Sequence, residues 1–356
     1  MSKYKCDGSY EADMNEYMEK IVKKYGIASQ SAEREIMCMA DAGNKVAAKL
    51  YADMVFYKKI LRRNPYKEAL KLYMRSAGIT VGENGRWSCS GNSYPLSFWN
   101  IGYYLVNYRK SSFLEKSEDI ELIDSMSYID RIKTALELSA ACITYTDAPG
   151  AVNLVGRILL EAGSDEEKYE ALKPVIVRCI EERDFDRISL RSGSCGSAEE
   201  CLKAADMFFT AAAAAGYVYA CNNLAAREAK NIAMNETTDD NDETLLEAID
   251  RYVEYLRLSA DKYEPYAANR LGLFYMTGEI EADGHKITRR EYIDQTKAKE
   301  YFKKATQYPD ANSAWAFFNL IKYFHKDYDN NIDLMNEHMD YIRILNPKVY
   351  DIAIEL

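Results

Sequence analysis

The chain has 356 residues, 48% of them apolar and 29% charged, with a formal net charge of −10. The apolar share excludes a chain disordered by composition, and the acidic balance excludes a role built on neutralising phosphates, so no nucleic acid is expected as a partner. No run approaches the roughly 18 apolar residues needed to cross a bilayer. The amino terminus, MSKYKCDGSYEADMNEYMEK, carries no apolar leader, which makes the cytoplasm the expected compartment and leaves no membrane to serve. The basic runs at 57–67 and 286–290 lack interleaved stacking aromatics and read as solvated faces.

In chain order, two helical patterns alternate. The first helix carries Ala32, Ile36 and Met39-Ala40, and the second carries Ala47, Tyr51-Ala52 and Val55. The pair recurs as Ala69, Tyr73, Ser76-Ala77 before Ser97, Ile101-Gly102, Leu105. It recurs again as Ile132, Leu136, Ser139-Ala140 before Ala151, Val155-Gly156, Leu159. Next come Ala204, Phe208, Ala211-Ala212 before Ala220, Leu224-Ala225, Glu228, then Tyr252, Leu256, Ser259-Ala260 before Ala267, Leu271-Gly272, Tyr275. The last copy is Ala298, Phe302, Ala305-Thr306 before Ala316, Leu320-Ile321, Phe324. Offsets of four keep each set on one side of a helix, so the repetition predicts an all-α stack of about six helical hairpins. Glycine inside a helix costs about 1 kcal/mol against alanine; Gly272 therefore predicts close approach of a neighbouring helix. Glu228 and Ile321 depart from the pattern.

Punctuation agrees with this reading. Pro65, Pro95, Pro149 and Pro265 fall near expected helix starts, and SDEE (164–167) and SAEE (197–200) match capping boxes. The small anchors Ala47, Ser97, Ala151, Ala220, Ala267 and Ala316 are separated by 50, 54, 69, 47 and 49 residues. The widest gap holds an extra helix around 166–183, expected to kink or break near Pro174, and then SLRSGSCGS (189–197). That linker is read as a bend between an amino-terminal half (1–188) and a carboxy-terminal half with a capping helix (198–356).

These residues, SADKYEPYAANRLGLFYMTG (259–278) above all, resemble the Sel-like repeats, a branch of the tetratricopeptide superfamily, over roughly residues 31–327. The resemblance implies a superhelical solenoid of helical hairpins, here with enlarged loops, in which the helix bearing the LG-type anchor lines a concave face.

Chemistry-bearing clusters are scarce. The three histidines, His285, His325 and His338, show no metal-ligand spacing with each other or with cysteine, and neither a metal nor a cofactor is expected. GENGRWSCSG (82–91) lacks a phosphate-binding lysine and reads as a flexible loop. SGSCGS (192–197) has no preceding strand to make Cys195 a nucleophile, and DDNDE (239–243) reads as an acidic linker. The eight cysteines lack CxxC spacing and mostly sit in apolar helical stretches, as small hydrophobes do. No enzyme is expected.

What remains is surface. Residues at 3-4-3 spacing around each large anchor form an inner stripe. It runs through Leu96, Trp99, Tyr103 and Val106, then Asn153, Arg157 and Leu160, then Tyr219, Asn222, Ala226 and Ala229. Tyr266, Asn269, Leu273 and Met276 follow, and then Trp315, Phe318, Lys322 and His325. Aromatics repeat at the first position and asparagines at the second. A carboxamide matches the alternating N–H and C=O of an extended chain without reading its side chains, so the stripe predicts a protein- or peptide-binding adaptor. On that reading, alanine at Asn222 and Asn269 weakens binding and leaves stability nearly unchanged. Three other readings stand beside it: asparagines that cap or hold neighbouring helices or bind water, with the aromatics as inter-helix core; a self-associating scaffold whose groove holds segment 341–356; and an enzyme whose loops 78–94 and 278–294 bring carboxylates and His285 together.

Overall fold

The computed structural model describes residues 30–56, 64–82, 87–90, 93–108, 120–181, 195–234, 243–308, 310–329 and 331–355. Sixteen α-helices occur among them, with two short β-hairpins. Two compact units divide between Ala212 and Ala213. Most of the expected bend at 189–197, like the acidic run 239–243 and Cys6, lies outside the described residues.

The first unit contains α1 (Gln30–Asp41), α2 (Lys45–Phe56), α3 (Pro65–Ser76), α4 (Leu96–Asn107), α5 (Glu121–Asp124), α6 (Tyr128–Tyr145), α7 (Pro149–Gly163), α8 (Glu166–Glu181) and nearly all of α9 (Ala198–Ala214). The second contains α10 (Val218–Met234), α11 (Glu243–Ala260), α12 (Pro265–Thr277), α13 (Gln295–Ala305), α14 (Ser313–Tyr323), α15 (Ile332–Leu345) and α16 (Pro347–Ala353). All twelve helices expected from the repeat are present. Their small and large anchors, among them Ala47, Tyr73, Ile101, Phe208, Leu271 and Phe302, are buried. Pro65, Pro149 and Pro265 occupy the first turns of α3, α7 and α12, where a missing N–H costs nothing.

Gly272 answers to a specific neighbour. A Cβ there would meet the Phe302 ring of α13 at 2.5 Å, so the LG-type helix lies against the first helix of the next hairpin. Gly156 meets Phe209 of α9 in the same way, and Gly102 meets Ser139 of α6. In these three hairpins one small residue sets the stacking distance to the next helix. Glu228, the polar departure, pairs with Arg251 of α11 at 2.9 Å. Ile321 is buried with Phe302, Phe317 and Ile342 in the core of the last hairpins.

Several expectations change. α8 stays helical through Pro174, from Glu166 to Glu181. Its first turn is capped by Asp165, which accepts from Lys168 N (3.1 Å), while the Ser164 hydroxyl donates back to the Leu160 carbonyl (2.7 Å); Ser197 does accept from Glu200 N (3.2 Å). Stretches read as loops contain antiparallel hairpins: β1 (Ile79–Val81) with β2 (Trp87–Cys89), and β3 (Glu279–Ala282) with β4 (His285–Thr288). Gly78 and Gly278, at φ 63° and 70°, turn the chain out of the preceding helix. Asp283 and Gly284, at φ 51° and 81°, form the tight turn that matches strand twist. The Asp-Gly pair was the overlooked signal. β3 packs on α10.

Candidate functional site: a groove on helices α10, α12 and α14

The second unit gathers the predicted stripe into two neighbouring cavities. The larger, about 410 Å³, brings together Tyr266, Asn269 and Leu273 of α12 with Trp315, Phe318 and Lys322 of α14. The smaller, about 210 Å³, is lined by Asn222, Ala226 and Ala229 of α10, by Tyr252 of α11 and by the turn of the β3–β4 hairpin. Tyr266 and Arg270 belong to both walls. Met276 is half-buried and His325 exposed, and neither lines a cavity described here.

The aromatics are displayed. Tyr266 is 40% exposed and Trp315 41%, while Phe318 is buried beneath Trp315 in an edge-to-face contact at 5.8 Å. Lys322 lies over the rings of Phe318 (5.8 Å) and Tyr323 (5.2 Å), which fixes the cation on an aromatic floor. No carboxylate comes within ion-pair reach of Lys322 among the described residues. Tyr219, 54% exposed, stands apart and meets Tyr217 edge-on at 5.5 Å.

The asparagines do not stand free in solvent. Asn269 is 8% exposed, and its Oδ1 accepts from Asn319 Nδ2 at 2.9 Å, joining successive LG-type helices. Asn222 Nδ2 donates to Glu264 Oε2 at 3.0 Å, and Asn222 Oδ1 is buried without a hydrogen-bond partner. Glu264 also caps α12, accepting from Tyr266 N (3.3 Å) and Ala267 N (2.7 Å). Display with no structural duty is therefore corrected: each asparagine ties one repeat to the next and lines a cavity.

Glu264, Arg270 and Asn319 were missed. Glu264 is an uncommon capping residue, legible only through Pro265 after it. Asn319 follows Ala316 by three residues instead of two, the same shift that places Asn100 after Ser97. A search allowing that slip would have found both.

In the first unit the stripe is more enclosed. Trp99 packs on Gly150, where a Cβ would meet its ring at 2.5 Å. Tyr103 meets Phe56 edge-on at 6.3 Å; burial pushes its hydroxyl pKa up, with the Arg157 charge opposing. Arg157 Nη2 donates to Asn107 Oδ1 at 2.9 Å, Asn153 and Val106 are buried, and Leu96 and Leu160 are half-buried. Cys195 is buried, its thiol pKa pushed up first by a hydrogen bond with Cys201 and then by burial, the reverse of an activated nucleophile. Of segment 341–356, the described residues 341–355 line neither cavity; α15 and α16 pack on α14 through Ile342, Val349 and Ala353.

Alternating helical hairpins with a groove along the LG-type helices define an all-α helical-repeat protein. Solved structures similar to it include a Sel1 repeat protein from Oxalobacter formigenes, 15% identical, with 94% of this chain and 99% of that chain covered and a TM-score of 0.46. Another is c5321, a protective antigen of uropathogenic Escherichia coli with an SLR fold, 16% identical, with a TM-score of 0.36. There 96% of this chain and 63% of that chain are covered. No family model matches the chain, and no curated protein matches it. Among the described residues, no helix is long and apolar enough to cross a membrane.

Proposed function

We propose that the protein is a non-catalytic adaptor whose α10–α12–α14 groove holds a peptide segment of a partner protein. The observation that carries this reading is the pair Tyr266 and Trp315: large aromatic side chains, two-fifths exposed, at the mouth of a cavity floored by Phe318. Aromatic anchors in concave sites supply most of the binding energy of many interfaces. Mechanism follows from that geometry. Apolar side chains of the partner displace water from the Tyr266 and Trp315 rings, and the polar groups of the groove orient the bound chain.

The test compares proteins captured from a cell extract by the wild type with those captured by Trp315→Ala and Tyr266→Ala, both exposed positions that tolerate truncation. Loss of the same partner from both variants, with unchanged melting temperature, supports the groove. A captured set indifferent to both substitutions overturns it. Self-association is the second reading, favoured by Ile344 (73% exposed), Ile352 and Ile354 on α15 and the segment after it. Sedimentation of wild type against Ile344→Glu separates the two.

A further inference from the structure

The two cavities differ in polarity. Around the larger one, Arg270 and Lys322 supply positive charge and no carboxylate is among the lining residues, in a chain whose net charge is −10. Around the smaller one the excess is of acceptors: the Glu281 and Asp283 carboxylates, and the buried, unpaired Asn222 Oδ1. Arg270 stands on the shared wall, its Nη2 donating to the Glu281 carbonyl at 3.3 Å, so its charge is held in place between them. Lys230 neutralises part of the acidic side through Asp283 (2.9 Å), and Glu281 forms no ion pair among the described residues.

We infer that the groove takes a bipolar peptide segment: an Asp or Glu over Arg270 and Lys322, an apolar residue on Tyr266, and a Lys or Arg toward Glu281 and Asp283. This deepens the adaptor reading and rests on it. Charge arranged in this way sets direction as well as affinity, because a chain laid in reverse brings like charges together at both ends. Asn222 Oδ1 adds a neutral reason for a donor at the acidic end, since a buried acceptor without a partner is costly until something bonds to it.

The experiment is selection from a random dodecapeptide display library on the immobilised full chain. Parallel selections use Lys322→Glu, the double variant Glu281→Gln/Asp283→Asn, Trp315→Ala, and Lys303→Glu. Lys303 is exposed on α13 and lines neither cavity, so Lys303→Glu changes net charge as Lys322→Glu does. The expected result is an acidic and a basic residue enriched in one fixed order around an apolar one. Lys322→Glu loses the acidic preference and weakens the selected peptide about three- to tenfold; the double variant loses only the basic preference, and Lys303→Glu loses neither. Apolar peptides without charge order, or identical preferences in Lys322→Glu and Lys303→Glu, overturn the bipolar inference while leaving the groove standing. Peptides recovered equally well by Trp315→Ala overturn both readings.

Discussion

Asn269 carries two demands on one side chain. Its Oδ1 is committed to Asn319 across successive helices, and the residue also borders the larger cavity. Truncation to alanine leaves the Asn319 amide, on a residue only 4% exposed, without its acceptor. A buried donor left unpaired costs about 1–3 kcal/mol. Asn269→Ala is therefore expected to lower the unfolding free energy by that amount, read as a lower urea midpoint at unchanged m, and Asn269→Leu combined with Asn319→Leu to recover part of the loss, because removing both partners leaves nothing unsatisfied. A midpoint unchanged in Asn269→Ala would show that the pair contributes nothing. For Asn222→Ala the expected loss is smaller, about 0.5–1.5 kcal/mol. Glu264 keeps its backbone donors from α12, and an unpaired oxygen disappears together with the lost bond.

Two glycines of the α12 region test different physics at the scale of the element. At Gly272 space is the limit, since Phe302 already occupies the position of a Cβ. Gly272→Leu should destabilise by roughly 1–3 kcal/mol through overpacking. At Gly284 nothing lies within 4 Å of a Cβ, but φ is +81°. Gly284→Asn should accordingly be mild and Gly284→Val clearly worse, by about 1–2 kcal/mol at a left-handed position. Equal melting temperatures for Asn and Val would refute a conformational origin. The contrast also marks what was legible in the sequence. Helices were, because the Ala267, Leu271-Gly272 pattern and its copies encode burial at helical spacing. Hairpins were not, because each strand is three or four residues long and half exposed, too short for alternation to stand out; the Asp283-Gly284 turn alone announced one of them. The site was legible in part. Tyr266, Trp315, Phe318 and Lys322 share a cavity as their spacing implied, whereas Arg270 and Asn319 owe their place to packing between repeats, which the single-helix stripe leaves out.

At the scale of the whole molecule, the packing of α15 on α14 in the second unit includes an ionisable group. His338 of α15 sits against Phe317 of α14, ring centroids 4.8 Å apart, and its Nδ1 shares a hydrogen bond with the Tyr328 hydroxyl at 2.9 Å. Burial lowers the His338 pKa below the usual histidine value, with Glu337 opposing, and burial also pushes the Tyr328 hydroxyl up to about 12, with Asp327 adding to it. The folded pKa of His338 is thus depressed relative to the unfolded chain, where it stays near about 6.5. Below that value the unfolded state binds the extra proton more readily, so stability falls with falling pH. The contribution is complete above about pH 6.5 and is lost progressively as pH drops through that value toward the folded pKa. Protonation also turns Nδ1 into a donor, so Tyr328 can then only accept. The net charge of −10 pulls the other way, since acidification relieves repulsion across the chain, and a bare pH profile therefore mixes two effects. His338→Asn separates them, keeping a polar group near Tyr328 that does not titrate in this range. Between pH 7.5 and 5.5 the urea midpoint of the wild type should fall relative to that of His338→Asn, and parallel profiles would mean that His338 plays no part in holding α15 against α14.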